Sequence, residues 1–489
     1  MDEIGFVDTT LRDGHQSLWA EAMLTGMILP IAAAMDRAGF EAIELVAPSF
    51  FKKACREFKE DIWQRIRLVR QCITETPLRG IRNRYMAGFQ VTPACASELW
   101  LQRLAANGIR ELRSSDPSNT VAHWAEMVRS ASAVGLDTII NLIFSESPKH
   151  TDAYYMERAR AAAELKPARL CLKDPGALLT PERTRTLVPA VLAAMGNIPR
   201  EFHTHCITGL GPLCCLEAIK LGVASINTAI PPLANSSSNP SLFHIARNAR
   251  ALGYRTKIDE NVLHAVEGHF TDIAKREGFT IGEPREFDSY HALHQVPGGM
   301  ISNFHFQLTK LGMGEGIGEV LAEVGRVRQE LGYPIMVTPY SQFVGVQAAM
   351  NVILGERYKE VSDELIQYAA GIWGEEESGS IEANIKDKIL SRPRARELAR
   401  WQPPTPTVAE FRAQLGGDGI DDDELLLRYF AGADEVVAMK AAGATKEYLS
   451  ARRPLVALIQ ALSKRKRFGR IYIQRGEWSI QMERHEPTR

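Results

Sequence analysis

Residues 138–144, Thr-Ile-Ile-Asn-Leu-Ile-Phe, form a nearly continuous apolar run in the first half of this 489-residue chain. A strand with one solvated face alternates apolar and polar residues, whereas a strand that is buried on both faces does not. The run therefore predicts a strand of a parallel sheet that helices cover on both sides.

Similar short runs, rich in apolar and β-branched residues, lie on either side of it within the first 245 residues. The segments between the runs have helical spacing, as in Met27, Ile31, Ala34 and Met35. Eight strand–helix units in succession predict an α/β fold, a closed (β/α)8 TIM barrel rather than an open sheet. The predicted strands are Ile4–Asp8, Ala42–Val46, Arg82–Phe89, Ile109–Ser114, Thr138–Ser145, Arg169–Lys173, Glu201–Cys206 and Ser225–Ile230.

The strand pattern stops near residue 250, and helical periodicity dominates beyond it. We expect residues 1–245 to form the barrel, residues 246–443 a mostly α-helical second domain, and residues 444–489 a C-terminal helix and β-hairpin. The elements expected beyond the barrel are helices Asn261–Arg276, Glu315–Leu331, Tyr340–Leu354, Ser362–Ile372 and Asp422–Tyr429, and hairpin strands Arg470–Arg475 and Glu477–Met482.

The composition excludes several classes of protein. Lysine and arginine number 58 and the acidic residues 59, so no charge excess points to a nucleic-acid or membrane-surface partner. The first residues lack the basic and apolar segments of a signal peptide, and no apolar stretch approaches the about 20 residues of a transmembrane span. Seven cysteines without a C-x-x-C pair fit a reduced, cytoplasmic compartment.

Two histidines separated by one residue, His203 and His205, lie on the seventh predicted strand. Residues at i and i+2 of a strand point to the same face, and TIM barrels carry their sites at the carboxyl ends of the strands. Two neutral imidazoles at this spacing suit a divalent transition metal. The alternative is a pair of hydrogen-bonded core histidines.

Further ligands are expected from the ends of other strands. Asp13 follows the first strand and offers a carboxylate, although it is also explained as a turn residue. Lys173 ends the sixth strand, where an unpaired ammonium beside a metal costs several kcal/mol to bury. Reaction of the amine with CO₂ gives an anionic carbamate, which binds a metal. The alternative for Lys173 is an ion pair with Asp174 at the rim.

Four motifs occur in a recognisable order along the chain. They are Asp8-Thr-Thr-Leu-Arg-Asp-Gly-His-Gln-Ser17, Lys173-Asp-Pro-Gly-Ala-Leu-Leu179, His203-Thr-His205 and Pro297-Gly-Gly-Met-Ile-Ser-Asn303, extended by Val337-Thr-Pro-Tyr-Ser-Gln-Phe-Val-Gly345. Together they strongly resemble the carboxyltransferase domain of biotin-dependent 2-oxo-acid enzymes, namely pyruvate carboxylase, the oxaloacetate decarboxylase α subunit and the transcarboxylase pyruvate-side subunit. The resemblance covers the chain from about residue 4 to about residue 443.

The resemblance implies one divalent metal, Zn²⁺ or Mn²⁺, in the barrel mouth. Residue by residue, the family's ligands fall on Asp13, His203, His205 and an N6-carboxylated Lys173. The metal acts as a Lewis acid near the keto oxygen of the substrate.

The resemblance also implies the substrate-binding and catalytic residues. Gln16 and Arg82 bind the 2-oxo acid and stabilise its enolate oxygen. Arg82 is chosen because it precedes Gly88 by six residues, as in the family; Arg79 is a competitor that requires a three-residue insertion. Ser302 replaces the family's catalytic threonine and moves a proton between biotin and the substrate.

The implied reaction moves a carboxyl group between biotin and a 2-oxo acid through an enolate. The resemblance gives pyruvate or oxaloacetate as the default substrate only, since the chain departs from the family around the substrate. Asn83 stands where the family has glycine, Ser115 where it has phenylalanine, and Asn227 where it has aspartate.

We find neither a biotin carboxylase segment nor a biotinyl domain in the sequence. The tripeptide Ala438-Met439-Lys440 is similar to the biotin-accepting sequence but lies in a helical pattern, not at a hairpin turn. We therefore expect biotin on a separate carrier polypeptide, partner carrier and biotin carboxylase subunits, and a homodimer or larger oligomer.

Two other functions stay open. The opening motif Asp8–Gly14 also resembles metal-dependent aldolases and acyl-CoA lyases, so a biotin-independent lyase, an aldolase or decarboxylase, is the first alternative. The helical second domain speaks against it, because those enzymes do not share that domain. A non-catalytic scaffold protein within a larger complex is the second alternative, and it leaves the metal ligands unexplained.

Overall fold

Parallel strands paired edge to edge close into a barrel in the computed structural model of the chain. The barrel strands are β1 (Glu3–Asp8), β2 (Ala42–Val46), β3 (Leu78–Arg82), β4 (Glu111–Ser114), β5 (Asp137–Ile143), β6 (Arg169–Asp174), β7 (Arg200–Thr204) and β8 (Ser225–Thr228). Strand β1 pairs with β2 on one side and with β8 on the other, which closes the ring. A two-residue strand, β9 (Arg255–Thr256), extends the pairing of β1. The predicted TIM barrel is confirmed.

The chain divides into two compact units, Met1–Lys446 and Glu447–Arg489. The structure describes most of the first unit and part of the second. The described residues are 3–88, 91–296, 316–398, 400, 404–443, 446, 448, 458, 459, 462, 470–476 and 478–483.

Helices cover the outside of the barrel between consecutive strands. Two of them begin at threonines whose hydroxyls accept a backbone N–H, Thr151 from Tyr154 at 3.3 Å and Thr180 from Arg183 at 3.1 Å. The barrel helices are α1 (His15–Leu18), α2 (Thr25–Asp36), α3 (Pro48–Lys53), α4 (Ile62–Cys72), α5 (Ala94–Ala106), α6 (Val121–Ser132), α7 (Asp152–Glu164), α8 (Pro181–Met195), α9 (Gly211–Lys220) and α10 (Leu242–Ala251), with π-helical turns at Thr10–Gly14 and Ala54–Phe58.

The third strand lies before its predicted position: it spans Leu78–Arg82, and the prediction Arg82–Phe89 is wrong. A strand with two arginines and a glycine lacks the apolar signal of its neighbours. It is buried nevertheless, because Arg79 points into the barrel and pairs with Glu201 of β7 at 2.8 Å. Gly80 faces the helices, and a Cβ there would lie 3.3 Å from Leu104.

The chain beyond the barrel is mostly helical, as predicted. Its helices pack around their own buried apolar core, in which Tyr340, Phe343, Tyr368 and Trp373 bring their rings together with centroids 5.0–5.7 Å apart. The helices are α11 (Glu260–Glu277), α12 (His291–His294), α13 (Ile317–Glu330), α14 (Tyr340–Ile353), α15 (Asp363–Ala369), α16 (Glu375–Gly379), α17 (Ala383–Leu390), α18 (Pro393–Leu398), α19 (Val408–Leu415), α20 (Asp422–Ala431) and α21 (Ala433–Ala441).

Polar contacts join this helical core to the carboxyl ends of the barrel strands. Arg328 of α13 donates to the Ser145 hydroxyl just after β5, at 2.9 Å. Arg84, which follows β3, donates to the Trp373 carbonyl at 3.1 Å. The helical core therefore lies beside the mouth of the barrel, where TIM barrels carry their sites.

The second unit contains an antiparallel hairpin of β10 (Arg470–Arg475) and β11 (Trp478–Glu483). Ile473 pairs with Ile480, in the alternation that the sequence shows. Among the described residues, none of the helices is both long and apolar enough to cross a bilayer.

We expect Gly211→Ala to destabilise the barrel mouth. A Cβ on Gly211, the first residue of α9, would lie 2.3 Å from the His205 carbonyl oxygen, so the backbone has to shift. Overpacking of this kind costs about 1–3 kcal/mol, which a thermal unfolding experiment detects as a lowered Tm.

The matched control is Gly318→Ala in α13, where an added Cβ meets no atom within 4 Å. This variant should be as stable as the native protein or more so, because alanine favours a helix over glycine. Equal stability of the two variants would contradict the close approach at Gly211.

Candidate metal centre at the barrel mouth

Three buried side chains from different parts of the barrel converge at its mouth. Asp13 lies in the π-helical turn after β1, His203 lies on β7, and His205 follows β7 directly. Asp13 Oδ2 is 3.3 Å from His203 Nε2 and 3.4 Å from His205 Nε2. The two Nε2 atoms are 3.1 Å apart.

This triangle has the size of one face of a metal coordination shell. Bonds of about 2.0–2.2 Å from a divalent ion to nitrogen or oxygen separate neighbouring ligand atoms by about 3.0–3.5 Å. Imidazole nitrogens and a carboxylate oxygen are the ligands that zinc and similar ions take. Asp13, His203 and His205 therefore fit a divalent metal.

A hydrogen bond selects the tautomer of His203 that a metal needs. Its Nδ1–H donates to Asn227 Oδ1 at 2.8 Å, so Nε2 keeps a lone pair directed at the cluster. The orientation of Asn227 is set on both sides, because Arg113 donates to its oxygen at 2.6 Å and its Nδ2 donates to Glu201 at 2.8 Å. Burial, and then the charge of Lys173, lower the pKa of His203 to about 3.

Asp13 is held as a carboxylate. Burial acts to raise its pKa, but Arg12 and the two histidines outweigh burial and hold the pKa of Asp13 well below its usual value. Arg12 Nη2 donates to Asp13 Oδ2 at 2.7 Å and to Glu44 at 2.6 Å, and the Ser17 hydroxyl donates to Asp13 Oδ1 at 3.0 Å. A negative ligand is thus present before any metal binds.

Lys173 faces the same interior as His203, because the two residues are register partners on the adjacent parallel strands β6 and β7. Its side chain is buried. Burial first, and Arg12 next, lower the pKa of Lys173 to about 8. The rim ion pair with Asp174 is not formed; Asp174 accepts the backbone N–H groups of Leu178 and Leu179 instead, each at 2.9 Å.

Gln16 lies beside the cluster on α1. Its Oε1 accepts from Arg12 Nη1 at 3.3 Å, and its Nε2 donates to Glu21 at 3.1 Å. Ser302, the predicted proton carrier, lies outside the described residues.

The structure does not bring Arg82 to this cluster. Its guanidinium binds the Ser97 hydroxyl at 2.8 Å and Glu126 at 2.9 Å, toward helices α5 and α6. Arg79 points into the barrel interior, where it pairs with Glu201. The reason is alternation along β3: residues 79 and 81 face the interior, and residues 78, 80 and 82 face the helices.

Other residues of the site were assigned no role from the sequence, in which Asn227 was noted only as a departure from the family. Arg12 and Glu44 hold Asp13, and Asn227 and Asn239 hold His203; Asn239 Nδ2 lies 3.2 Å from His203 Nε2. Arg12 lies within the opening motif, next to Asp13, so its place in the sequence could have indicated a role in the site. The asparagines lie on and after β8, and no spacing in the sequence connects them to β7.

Two families match the chain in succession. The family described as HMGL-like matches residues 3–269, and the family described as conserved carboxylase domain matches residues 292–431. A pyruvate carboxylase subunit of Methanocaldococcus jannaschii is 34% identical over 373 residues, which are 76% of this chain and 66% of that protein. The chain thus spans just under two thirds of the length of that relative.

The name of a second relative gives a different substrate. The 2-oxoglutarate carboxylase large subunit of Hydrogenobacter thermophilus is 30% identical over 437 residues, or 88% of this chain and 67% of that protein. Among solved structures, the carboxyl transferase domain of Rhizobium etli pyruvate carboxylase has the same fold, with a TM-score of 0.79 and 22% identity over 91% of this chain and 78% of that one.

We expect the double variant His203→Ala, His205→Ala to lose the bound metal, because it removes two of the three converging ligands. Asn227→Ala keeps the ligands but frees the His203 ring, and loss of such a supporting bond lowers metal affinity by about 10–100-fold. Elemental analysis of the purified protein and zinc titration measure both effects.

His264→Ala is the control, because His264 is an exposed histidine that pairs with Glu267 away from the cluster. Its metal content should equal that of the native protein. Native metal content in the double variant would remove Asp13, His203 and His205 from consideration as a metal centre.

Proposed function

The chain belongs to the carboxyltransferase family of biotin-dependent carboxylases that act on 2-oxo acids, and on that premise we propose that it moves a carboxyl group between biotin and a 2-oxo acid. One observation carries the proposal: Asp13, His203 and His205 converge beside a buried lysine whose pKa is lowered to about 8. Simple structural packing does not require such a group of side chains.

In this proposal Asp13, His203, His205 and Lys173 hold a divalent metal, Zn²⁺ or Mn²⁺. When bound, the metal supplies Lewis acidity for the keto oxygen of the substrate. Lys173 becomes a ligand as its carbamate: Nζ bonds to the carbon of CO₂, and one N–H proton leaves to solvent. The lowered pKa of Lys173 favours the neutral amine that this step requires.

Enolate formation places negative charge on the substrate oxygen. Gln16 borders the cluster and keeps one amide N–H beyond the hydrogen bond to Glu21, which would donate to that oxygen. Arg12 lies between Asp13 and Gln16 and adds a fixed positive charge. Arg82 was inferred from the resemblance for the same role, and its contacts with Ser97 and Glu126 favour Arg12 and Gln16 instead.

The substrate is proposed as a class rather than a compound. The relatives named above act, by their names, on pyruvate and on 2-oxoglutarate, so a 2-oxo acid is what they share. Ser302 would hold the proton that moves between the biotin ring nitrogen and the substrate carbon next to the keto group.

Biotin is proposed to arrive on a separate carrier, with a biotin carboxylase as a further partner and a homodimer or larger oligomer as the assembly. Both relatives named above are, by their names, single subunits of larger carboxylases, which supports a multi-subunit enzyme. Lys440 lies within α21 and its Nζ pairs with Glu424, which does not suit a biotin acceptor. All seven cysteines are free thiols, which supports a cytoplasmic location.

A biotin-independent lyase is the second candidate. The HMGL-like match to residues 3–269 favours it, since that match covers the barrel and ends within α11, before the rest of the helical region. The match of the conserved carboxylase domain to residues 292–431 favours the biotin-dependent enzyme.

Avidin capture and a carboxyl-exchange assay separate the two candidates. We expect avidin to capture the chain together with a biotinylated partner from its native complex. We also expect exchange of labelled carboxyl between pyruvate and oxaloacetate, or between 2-oxoglutarate and its carboxylated product, to stop when avidin blocks biotin. Turnover of a 2-oxo acid that avidin leaves unchanged would establish the lyase.

We expect Ser302→Ala to lower carboxyl exchange by about 10²–10⁴-fold with the metal content intact, because a general acid–base group contributes about that much. Ser302→Thr should keep most activity, since it retains the hydroxyl and restores the family's residue. If the hydroxyl only satisfies a backbone N–H, Ser302→Ala instead loses about 1 kcal/mol of stability with nearly normal exchange.

We expect Lys173 to be carboxylated in the native protein, visible as three extra atoms on Nζ in an electron-density map. Because its pKa is about 8, the amine is increasingly protonated as the pH falls from 8.5 to 6. Carboxylation and metal content should therefore fall together over this range. Plain ammonium density at a metal-loaded site would contradict the carbamate.

A further inference from the structure

We propose that Glu21 is a positioning residue, whose carboxylate holds the amide of Gln16 in the one orientation that presents an N–H to the substrate. The inference rests on the proposed function and names a residue that the sequence motifs do not include. It depends on the backbone at residues 20 and 21 and on the hydrogen bonds of Gln16.

The backbone turn that carries Glu21 is strained. Ala20 and Glu21 have φ values of 46° and 66°, the left-handed region that residues with a Cβ rarely adopt in succession. The Glu21 N–H donates to the His15 carbonyl at 3.0 Å, and Lys53 Nζ donates to the Ala20 carbonyl at 2.5 Å. Strain of this kind next to an active site is a pointer to function.

The turn places the carboxylate of Glu21 against the side chains of Gln16 and Ser49. Its Oε1 accepts from Gln16 Nε2 at 3.1 Å and from the Ser49 hydroxyl at 2.6 Å. Glycine would form the same turn without strain, but it would leave Gln16 without this acceptor. The side chain, not the turn, therefore accounts for glutamate at this position.

The two neighbours of Gln16 determine which end of its amide faces which way. A guanidinium only donates, so Arg12 requires the Gln16 oxygen; a carboxylate only accepts, so Glu21 requires the Gln16 nitrogen. Both requirements give the same orientation. One N–H of Gln16 remains for a ligand, and Arg12 ties the amide to Asp13.

A double-mutant cycle on ligand binding tests the proposal. The probe is oxalate, a planar dianion that resembles the enolate of a 2-oxo acid and does not turn over, titrated calorimetrically into the full-length, metal-loaded protein. The variants are Glu21→Gly, Gln16→Ala and the two together. Ala20→Gly is the matched control, because it relaxes the same turn and leaves the carboxylate in place.

We expect Glu21→Gly to weaken oxalate binding by about tenfold, the effect of one hydrogen bond to a charged group, and Gln16→Ala to weaken it at least as much. The double variant should bind no worse than Gln16→Ala alone, because Glu21 acts through Gln16. Ala20→Gly should bind normally. The Tm of Glu21→Gly should be unchanged or raised, whereas a purely structural role for Glu21 lowers it.

The inference would be overturned if the two substitutions weakened oxalate binding independently, so that their effects multiplied in the double variant. It would also be overturned if Glu21→Gly bound oxalate with the affinity of the native protein. A lowered Tm in Glu21→Gly together with normal oxalate binding would show a structural role only. If the proposed function is wrong, the native protein itself will show neither oxalate binding nor carboxyl exchange.

Discussion

Four charged side chains buried inside the barrel, beneath the candidate metal ligands, constrain the rest of the structure. Glu44, Arg79, Arg113 and Glu201 are shielded from solvent and pair with one another, with Arg113 and Arg79 donating to Glu201 at 2.6 and 2.8 Å. Burying isolated charges is costly, and removal of one partner from such a group typically costs about 3–5 kcal/mol because the other stays uncompensated. The strands must therefore keep the register that holds all four together.

The same charges set the protonation state of the candidate metal ligands above them. Glu44 binds Arg12, and Arg12 binds Asp13 and keeps it ionised. On the other side, Arg113 and Glu201 orient Asn227, and Asn227 fixes the tautomer of His203. The interior of the barrel thus acts as a polar support that prepares a carboxylate and a neutral imidazole before a ligand arrives.

The proposed chemistry divides between this rigid interior and the residues at the rim. The candidate ligands His203 and His205 and the neighbouring Lys173 lie on or directly after strands, and Asp13 lies in the buried π-helical turn that follows β1, so packing holds them in place. Gln16 and Glu21 belong to a short helix and a strained turn, so their geometry depends on a few hydrogen bonds. Differences in substrate between relatives of the same fold are expected to arise at the rim, because the strand positions are fixed by the buried charges.

The sequence by itself determined the class of fold and pointed to the candidate metal ligands. Apolar runs and helical spacing are local properties of the chain, and so are the one-residue spacing of His203 and His205 and the opening motif that contains Asp13. The same periodicity also located five of the eleven described helices beyond the barrel to within a few residues. Local patterns suffice where burial and backbone geometry act over neighbouring residues.

Tertiary structure alone decided the third strand, the direction of Arg82 and the partners of His203. Strand β3 is poor in apolar residues and becomes a barrel strand because Glu201, 122 residues later, neutralises Arg79. Arg79 pairs with Glu201 inside the barrel, and alternation along β3 therefore turns Arg82, three residues later, toward the helices. The roles of Asn227 and Glu21 depend likewise on hydrogen bonds to residues that only the closed barrel and the folded turn bring near, and no pattern along the chain encodes those distances.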